Sequence, residues 1–236
     1  MWSIGEVKSK GKGAFKANYW PCVATSLLLG VVTAGSSGSV ASSGSNAVSA
    51  SSEGQDVTSS LQSLDPEVLA MLIAIAGGAI LFASVVSIIL KIFLINPLKV
   101  GCYRFFRKNV ETQDAPIGTI GEGFGNYVHV FITLFLKDLF LALWTCLFII
   151  PGIIKSYSYR MVPYIIKDYP ELSAKEVIDK SREMMNGNKW KAFVFDLSFI
   201  GWGLLSLITC GILGIFWVNP YIYNSKAALY LELKEQ

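Results

Sequence analysis

The chain has 236 residues, of which 53% are hydrophobic and only 16% charged, with a formal net charge of +3. A soluble domain carries about 25% charged residues, so the deficit points to lipid-facing surface and argues against a soluble enzyme. The basic residues are spread along segments that flank apolar runs rather than gathered on one surface, which argues against a nucleic-acid-binding domain and makes them markers of topology.

Residues 1–18 combine Lys8, Lys10, Lys12 and Lys16 with Ile4, Val7 and Phe15, and Ser3 stands three residues before Glu6 in capping-box spacing. We expect a basic, amphipathic cytoplasmic segment lying on the surface, not a cleaved signal peptide, because no small-residue cleavage site follows a compact apolar core. Residues 19–34 form the first expected span, with Tyr19 and Trp20 at the interface and Pro21 in the first helical turn. Residues 35–63 are rich in Ser, Gly and Ala and are expected to form a flexible extracytoplasmic loop. No lysine or arginine occurs between Ala17 and Leu90, which places that loop away from the cytoplasm.

Asp65-Pro66-Glu67 reads as a helix start, and 68–95 as a second span with small residues at Gly77, Gly78, Ala79 and Ala83 for a close helix contact and Lys91 reaching the interface. Lys99, Arg104, Arg107 and Lys108 follow. They are expected on the cytoplasmic side, where Arg104, Arg107 and Lys108 are candidate contacts for anionic lipid. Gly118, Gly121, Gly123 and Gly125 lack the strand and the Gly-Lys-Ser/Thr of a phosphate loop, and are read as a flexible link.

The run from Tyr127 to Asp168 is read as two spans, 127–149 and 153–167, hinged at Pro151 and Gly152. An even number of crossings there keeps the flanking cationic clusters on one side. Residues 170–189 contain Ser173 and Glu176 in capping-box spacing and an apolar face of Ala174, Val177, Ile178, Ser181, Met184 and Met185. They form an expected cytoplasmic amphipathic helix that packs on the membrane, on the protein's own base or on a partner. Residues 190–207 and 212–231 supply a fifth and a sixth span, the latter kinked at Pro220 or with its lower half running along the interface, with Lys226 and Lys234 marking a cytoplasmic C-terminus. The fold class is therefore all-α: a single membrane domain over 1–236 forming a polytopic helical bundle of about six transmembrane helices with interfacial helices.

Four stretches together resemble a known family: NPLKVGCYRFF at 96–106, LWTCLFIIPGIIKSYSYRMVPYI at 143–165, SREMMNGNKWKAFVFDLSFIGW at 181–202 and NPYIYNSKAALYLEL at 219–233. They are similar to the bacterial integral membrane proteins grouped as domain of unknown function 975. The resemblance covers nearly the whole chain apart from 35–63. It implies a multi-pass protein of a bacterial cytoplasmic membrane, and it brings no catalytic residue, cofactor or metal.

Lys137, Asp138, Arg160 and Asp196 lie inside apolar runs. An unpaired charge at the bilayer centre costs about 2.5–3.5 kcal/mol, so these groups are expected to face the bundle and pair, with Arg160 bridging Asp138, Asp196 or both. The pairing either fixes helix register or lines an ion path. His129, the one histidine, reads as an interfacial aromatic, because no His/Cys/Glu spacing completes a metal site. The four cysteines, Cys22, Cys102, Cys146 and Cys210, read as small apolar residues buried in helices. The function expected is non-catalytic: envelope organisation, or binding of membrane lipid, a protein partner or a second copy, with both termini cytoplasmic. A small transporter subunit is the alternative, and a membrane-embedded lipid enzyme ranks last.

Overall fold

The computed structural model describes residues 2–37, 65–90 and 94–236, so the expected loop at 35–63 and Lys91 fall largely or wholly outside the described residues. The chain forms two compact units, Val32–Ile95 and the combination of Met1–Val31 with Asn96–Gln236. No strand forms among the described residues. Eleven α-helices do, and three helical segments are long and apolar enough to cross a membrane: Pro66–Ser87, Tyr127–Leu147 and Lys189–Ile208.

The first helix, α1 (Ile4–Ala17), starts where the Ser3 hydroxyl accepts the Glu6 amide at 3.1 Å. Its apolar face of Val7, Gly11, Ala14 and Phe15 is buried. Helix α2 (Tyr19–Ser37) follows after one residue, Asn18. In the smaller unit, α3 (Pro66–Leu90) begins with the proline in the first turn, where a missing N–H has no partner to lose. It is apolar on every side, and no side chain described over 66–87 is buried.

In the larger unit, α4 (Asn96–Thr112) packs against a 3₁₀ helix, Ile117–Phe124. A Cβ on Gly101 would stand 2.0 Å from the Ile120 carbonyl oxygen, and one on Gly123 would stand 2.1 Å from that of Pro97. The glycine-rich stretch expected to be a flexible link is thus an ordered helix, and two of the glycines let backbone meet backbone.

Helix α5 (Tyr127–Leu147) turns back into α6 (Ile149–Ser158), and then α7 (Val162–Asp168) runs on. The reversal falls at Phe148, whose backbone is extended (φ −154°, ψ 135°), not at Pro151-Gly152 as expected. Pro151 sits instead in the first turn of α6. Gly152 is the close contact of the hairpin, since a Cβ there would lie 2.6 Å from Thr145 Oγ1. Residues 153–167 do not form one span either. The helix breaks at Tyr159–Met161, where the Ser181 hydroxyl donates to the Ser158 carbonyl at 2.8 Å and accepts the Met161 amide at 3.2 Å. Beyond the break, Val162 through Ile166 are all buried.

Helix α8 (Ala174–Met184) carries the complete capping box: the Glu176 carboxylate accepts the Ser173 amide at 2.7 Å and the Ser173 hydroxyl accepts the Glu176 amide at 3.4 Å. Its buried residues, Val177, Ile178 and Ser181, lie on the expected face. Helices α9 (Lys189–Leu197) and α10 (Ile200–Ile208) follow almost continuously. A turn at Cys210 and Gly211, both at positive φ, leads to a π turn (Gly214–Val218) and to α11 (Asn219–Lys234). The π turn has a plain cause. Pro220 has no N–H for the Phe216 carbonyl, and the Tyr19 hydroxyl donates to that oxygen at 3.1 Å. At Pro220, where a kink or an interface-lying lower half was expected, the helix shifts register. Helix α11 is buried along most of its length, and α1 crosses it where a Cβ on Gly11 would lie 2.5 Å from the Ser225 Cα.

Candidate functional site

Three sets of polar groups stand out in the larger unit. The first is a buried amide network. Asn109 on α4 donates to the Asn224 side chain at 2.9 Å, to the Ala14 carbonyl at 3.0 Å and to Cys22 Sγ at 3.2 Å. Asn18 donates to the Asn109 side-chain oxygen at 2.8 Å and to the Ala115 carbonyl at 2.9 Å. Asn224 in turn donates to the Pro220 carbonyl at 2.8 Å and to Cys22 Sγ at 3.3 Å. All three asparagines are buried. A buried amide without partners is expensive, so this set holds the junction of α1 and α2, α4 and α11 in one arrangement.

The second set centres on Asp168, whose side chain is 1% exposed. Its carboxylate accepts from Arg104 at 2.8 Å, Arg107 at 3.1 Å, Lys234 at 2.8 Å and the Tyr230 hydroxyl at 2.8 Å. Arg104 also reaches Glu122 at 3.1 Å, Arg107 reaches Glu111 at 2.9 Å, and Lys108 pairs with Glu122. Partial burial pushes the Glu122 carboxyl upward, but the hydrogen bonds and charges of Lys108 and Arg104 outweigh it and hold the group below its ordinary value. The three candidate lipid contacts, Arg104, Arg107 and Lys108, therefore all serve internal ion pairs.

The third set lies among the apolar helices. Arg160 makes a two-pronged pair with Asp196, at 2.8 and 2.7 Å, and the Tyr157 hydroxyl donates to the same carboxylate at 3.2 Å. Lys137 pairs with its neighbour Asp138 at 2.8 Å. Of the four residues singled out from the sequence, the structure brings together Arg160 with Asp196 and Lys137 with Asp138. No ion pair joins Asp138 to Arg160 among the described residues. The Lys155 ammonium stands 4.6 Å from the centre of the Trp144 ring, across the hairpin.

His129 Nε2 is buried with no hydrogen-bond partner, and no group of three or more metal-ligating side chains occurs among the described residues. Cys22 and Cys102 are buried, whereas Cys146 and Cys210 are exposed near the ends of the two apolar hairpins, which corrects the expectation that all four cysteines are buried. The indole N–H of Trp2 donates to Asn188 at 2.9 Å and Lys191 donates to the Trp2 carbonyl, tying the start of the chain to the α8–α9 connection. Asn18, Asn109, Asn224 and Asp168 were not singled out from the sequence. The one local signal was chemical type: an aspartate and three asparagines beside long apolar runs.

The fold and these sets define an all-helical protein with apolar helices of membrane-crossing length and internally paired charges. Residues 146–236 match the family model described as "Protein of unknown function (DUF975)". The family recognised from the four stretches is therefore the one found, over the C-terminal part of the chain; 96–106 lies outside the match. No curated protein and no solved structure matches the chain.

Proposed function

We propose that the chain is a non-catalytic, membrane-embedded protein that organises lipid or a protein partner at the bilayer surface. The observation that carries this reading is the Arg160–Asp196 pair, completed by Tyr157. A transport path needs charges that exchange partners with a substrate or water. Here each prong of the guanidinium faces a carboxylate oxygen, an arrangement that fixes α9 against the break between α6 and α7. The apolar stretches 139–154 and 197–225 contain no charged residue, which suits immersion of both hairpins in lipid. Six separate crossings draw less support. Helix α6 has ten residues, or about 15 Å, against about 30 Å of hydrocarbon. It serves better as the arm of a hairpin. The packing of α1 on α11 supports both termini lying on one side, which we assign to the cytoplasm of a bacterium from the excess of basic residues there.

The test is a charge swap. Arg160→Asp and Asp196→Arg each reduce the yield and thermal stability of purified protein, and the double variant restores more than half of the loss. A double variant no better than either single change overturns the structural role. The transporter reading rests on the interruptions at Cys210-Gly211 and at the π turn. Ion flux into proteoliposomes that Asp196→Asn abolishes would favour it instead.

A further inference from the structure

Helices α6, α8 and α9 border an open surface groove of about 410 Å³ to which each contributes one cation: Lys155, Arg182 and Lys189. Two carboxylates share the lining, Asp179 and Glu183, so its formal charge is +1 by the difference of three cations and two anions. Asp179 is already engaged, because Arg182 Nη1 donates to it at 2.7 Å. Lys155 and Lys189 have no carboxylate within ion-pair distance among the described residues. Lys155 is held over the Trp144 ring instead, which keeps its ammonium at the groove without neutralising it.

The surroundings define what enters. Trp144 and Ile154 on the hairpin are exposed, and Trp190, next to Lys189, is exposed as well. Cations with two exposed indoles nearby, beside bare aliphatic surface, match the headgroup layer of a bilayer, where phosphate lies above the acyl chains. The cations held by Asp168 and Glu122 are not available for this role, whereas Lys155 and Lys189 make no ion pair among the described residues and Arg182 shares only the half-exposed Asp179. We infer that Lys155, Arg182 and Lys189 form a binding site for the phosphate of an anionic membrane lipid, whose acyl chains lie along the Trp144 face of the α5–α6 hairpin. The inference rests on the membrane-embedded reading and names the ligand class and the place.

The experiment uses the full chain purified in an uncharged detergent. Short-chain phosphatidylglycerol, short-chain phosphatidylcholine and sodium phosphate are each titrated, and bound ligand is read by native mass spectrometry. Phosphatidylglycerol binds the wild type more tightly than phosphatidylcholine does. Lys155→Gln with Lys189→Gln weakens it roughly thirtyfold, at about fivefold per cation near an anionic headgroup. Lys155→Arg with Lys189→Arg retains it, which separates loss of charge from loss of fold. Lys12→Gln with Lys16→Gln changes it by less than about twofold, as expected for lysines away from the groove. Equal retention of phosphatidylglycerol by the Gln double variant, or equal binding of phosphatidylcholine, overturns the site. Sodium phosphate binding more tightly than the lipid overturns the lipid as its source. Alkaline extraction of membranes distinguishes the two levels. Protein released into solution refutes the membrane reading itself, whereas protein that stays with the membrane but fails the lipid titration refutes only the site.

Discussion

Helices α6 and α7 are neighbours in sequence; α6 carries two pairs of adjacent isoleucines and α7 carries one. Ile153 and Ile154 in α6 are 54% and 48% exposed, yet Ile165 and Ile166 in α7 are 0% and 1% exposed. Apolar content does not separate them. What separates them is the polar company each keeps. The α7 segment ends on Asp168, which is gripped by two arginines, a lysine and a tyrosine from α4 and α11, so α7 is drawn into a protein-packed base. The α6 segment has no such anchor before Lys155, and its isoleucines are left facing outward. The lesson is that an apolar run in this chain faces outward or into the protein according to the ion pairs at its ends.

The strongest way to break that contrast is to remove the anchor. Asp168→Ala leaves Arg104, Arg107 and Lys234 around an empty position, and breaking a buried ion pair from one side costs about 3–5 kcal/mol. We expect a collapse in the yield of folded protein, and a loss of thermal stability by size-exclusion-monitored melting in whatever remains. A melting temperature equal to wild type would mean that Asp168 does not hold α7 in place. Next in size is the direct comparison of isoleucines. Ile165→Ala should destabilise by about 2–5 kcal/mol through a cavity, while Ile154→Ala should change stability in detergent by less than about 0.5 kcal/mol. Equal effects at the two positions would erase the distinction.

The smallest effect is on pH. Glu122 has a depressed pKa from Lys108 and Arg104, so its contribution is present above the ordinary carboxylate value of 4.5 and is lost as pH falls through its lower folded value. Glu122→Gln should flatten the acid limb of a stability–pH profile measured below about pH 4.5 and leave the profile near neutrality almost unchanged. A change confined to neutral pH would show that the carboxylate acts in some other way.

Local signals were readable from the sequence, and long-range ones were not. The start of α3 at Pro66, the N-cap at Ser3, the capping box at Ser173 and the amphipathic face of α8 each depend on residues within one or two turns. The position of the hairpin reversal was missed by three residues, because Pro151 is accommodated in a first helical turn and does not itself bend the chain. The break at Tyr159–Met161 depends on Ser181, and the amide network joins Asn109 to partners 91 and 115 positions away. No periodicity reports such pairings. Arg104 and Arg107 looked like interfacial cations because their partner, Asp168, stands more than sixty residues further on.

We propose that a polar, ion-paired base and two apolar hairpins occupy different media. Sealed native vesicles of both orientations, treated with impermeant amine and thiol reagents and read by peptide mass spectrometry, test it most directly. The account predicts that Lys12 on α1 and Lys175 on α8 are modified from the same face, and that Cys146 and Cys210 resist the thiol reagent from that face until detergent is added. Modification of the two lysines from opposite faces, or of the two cysteines together with Lys175 in intact vesicles, would contradict it.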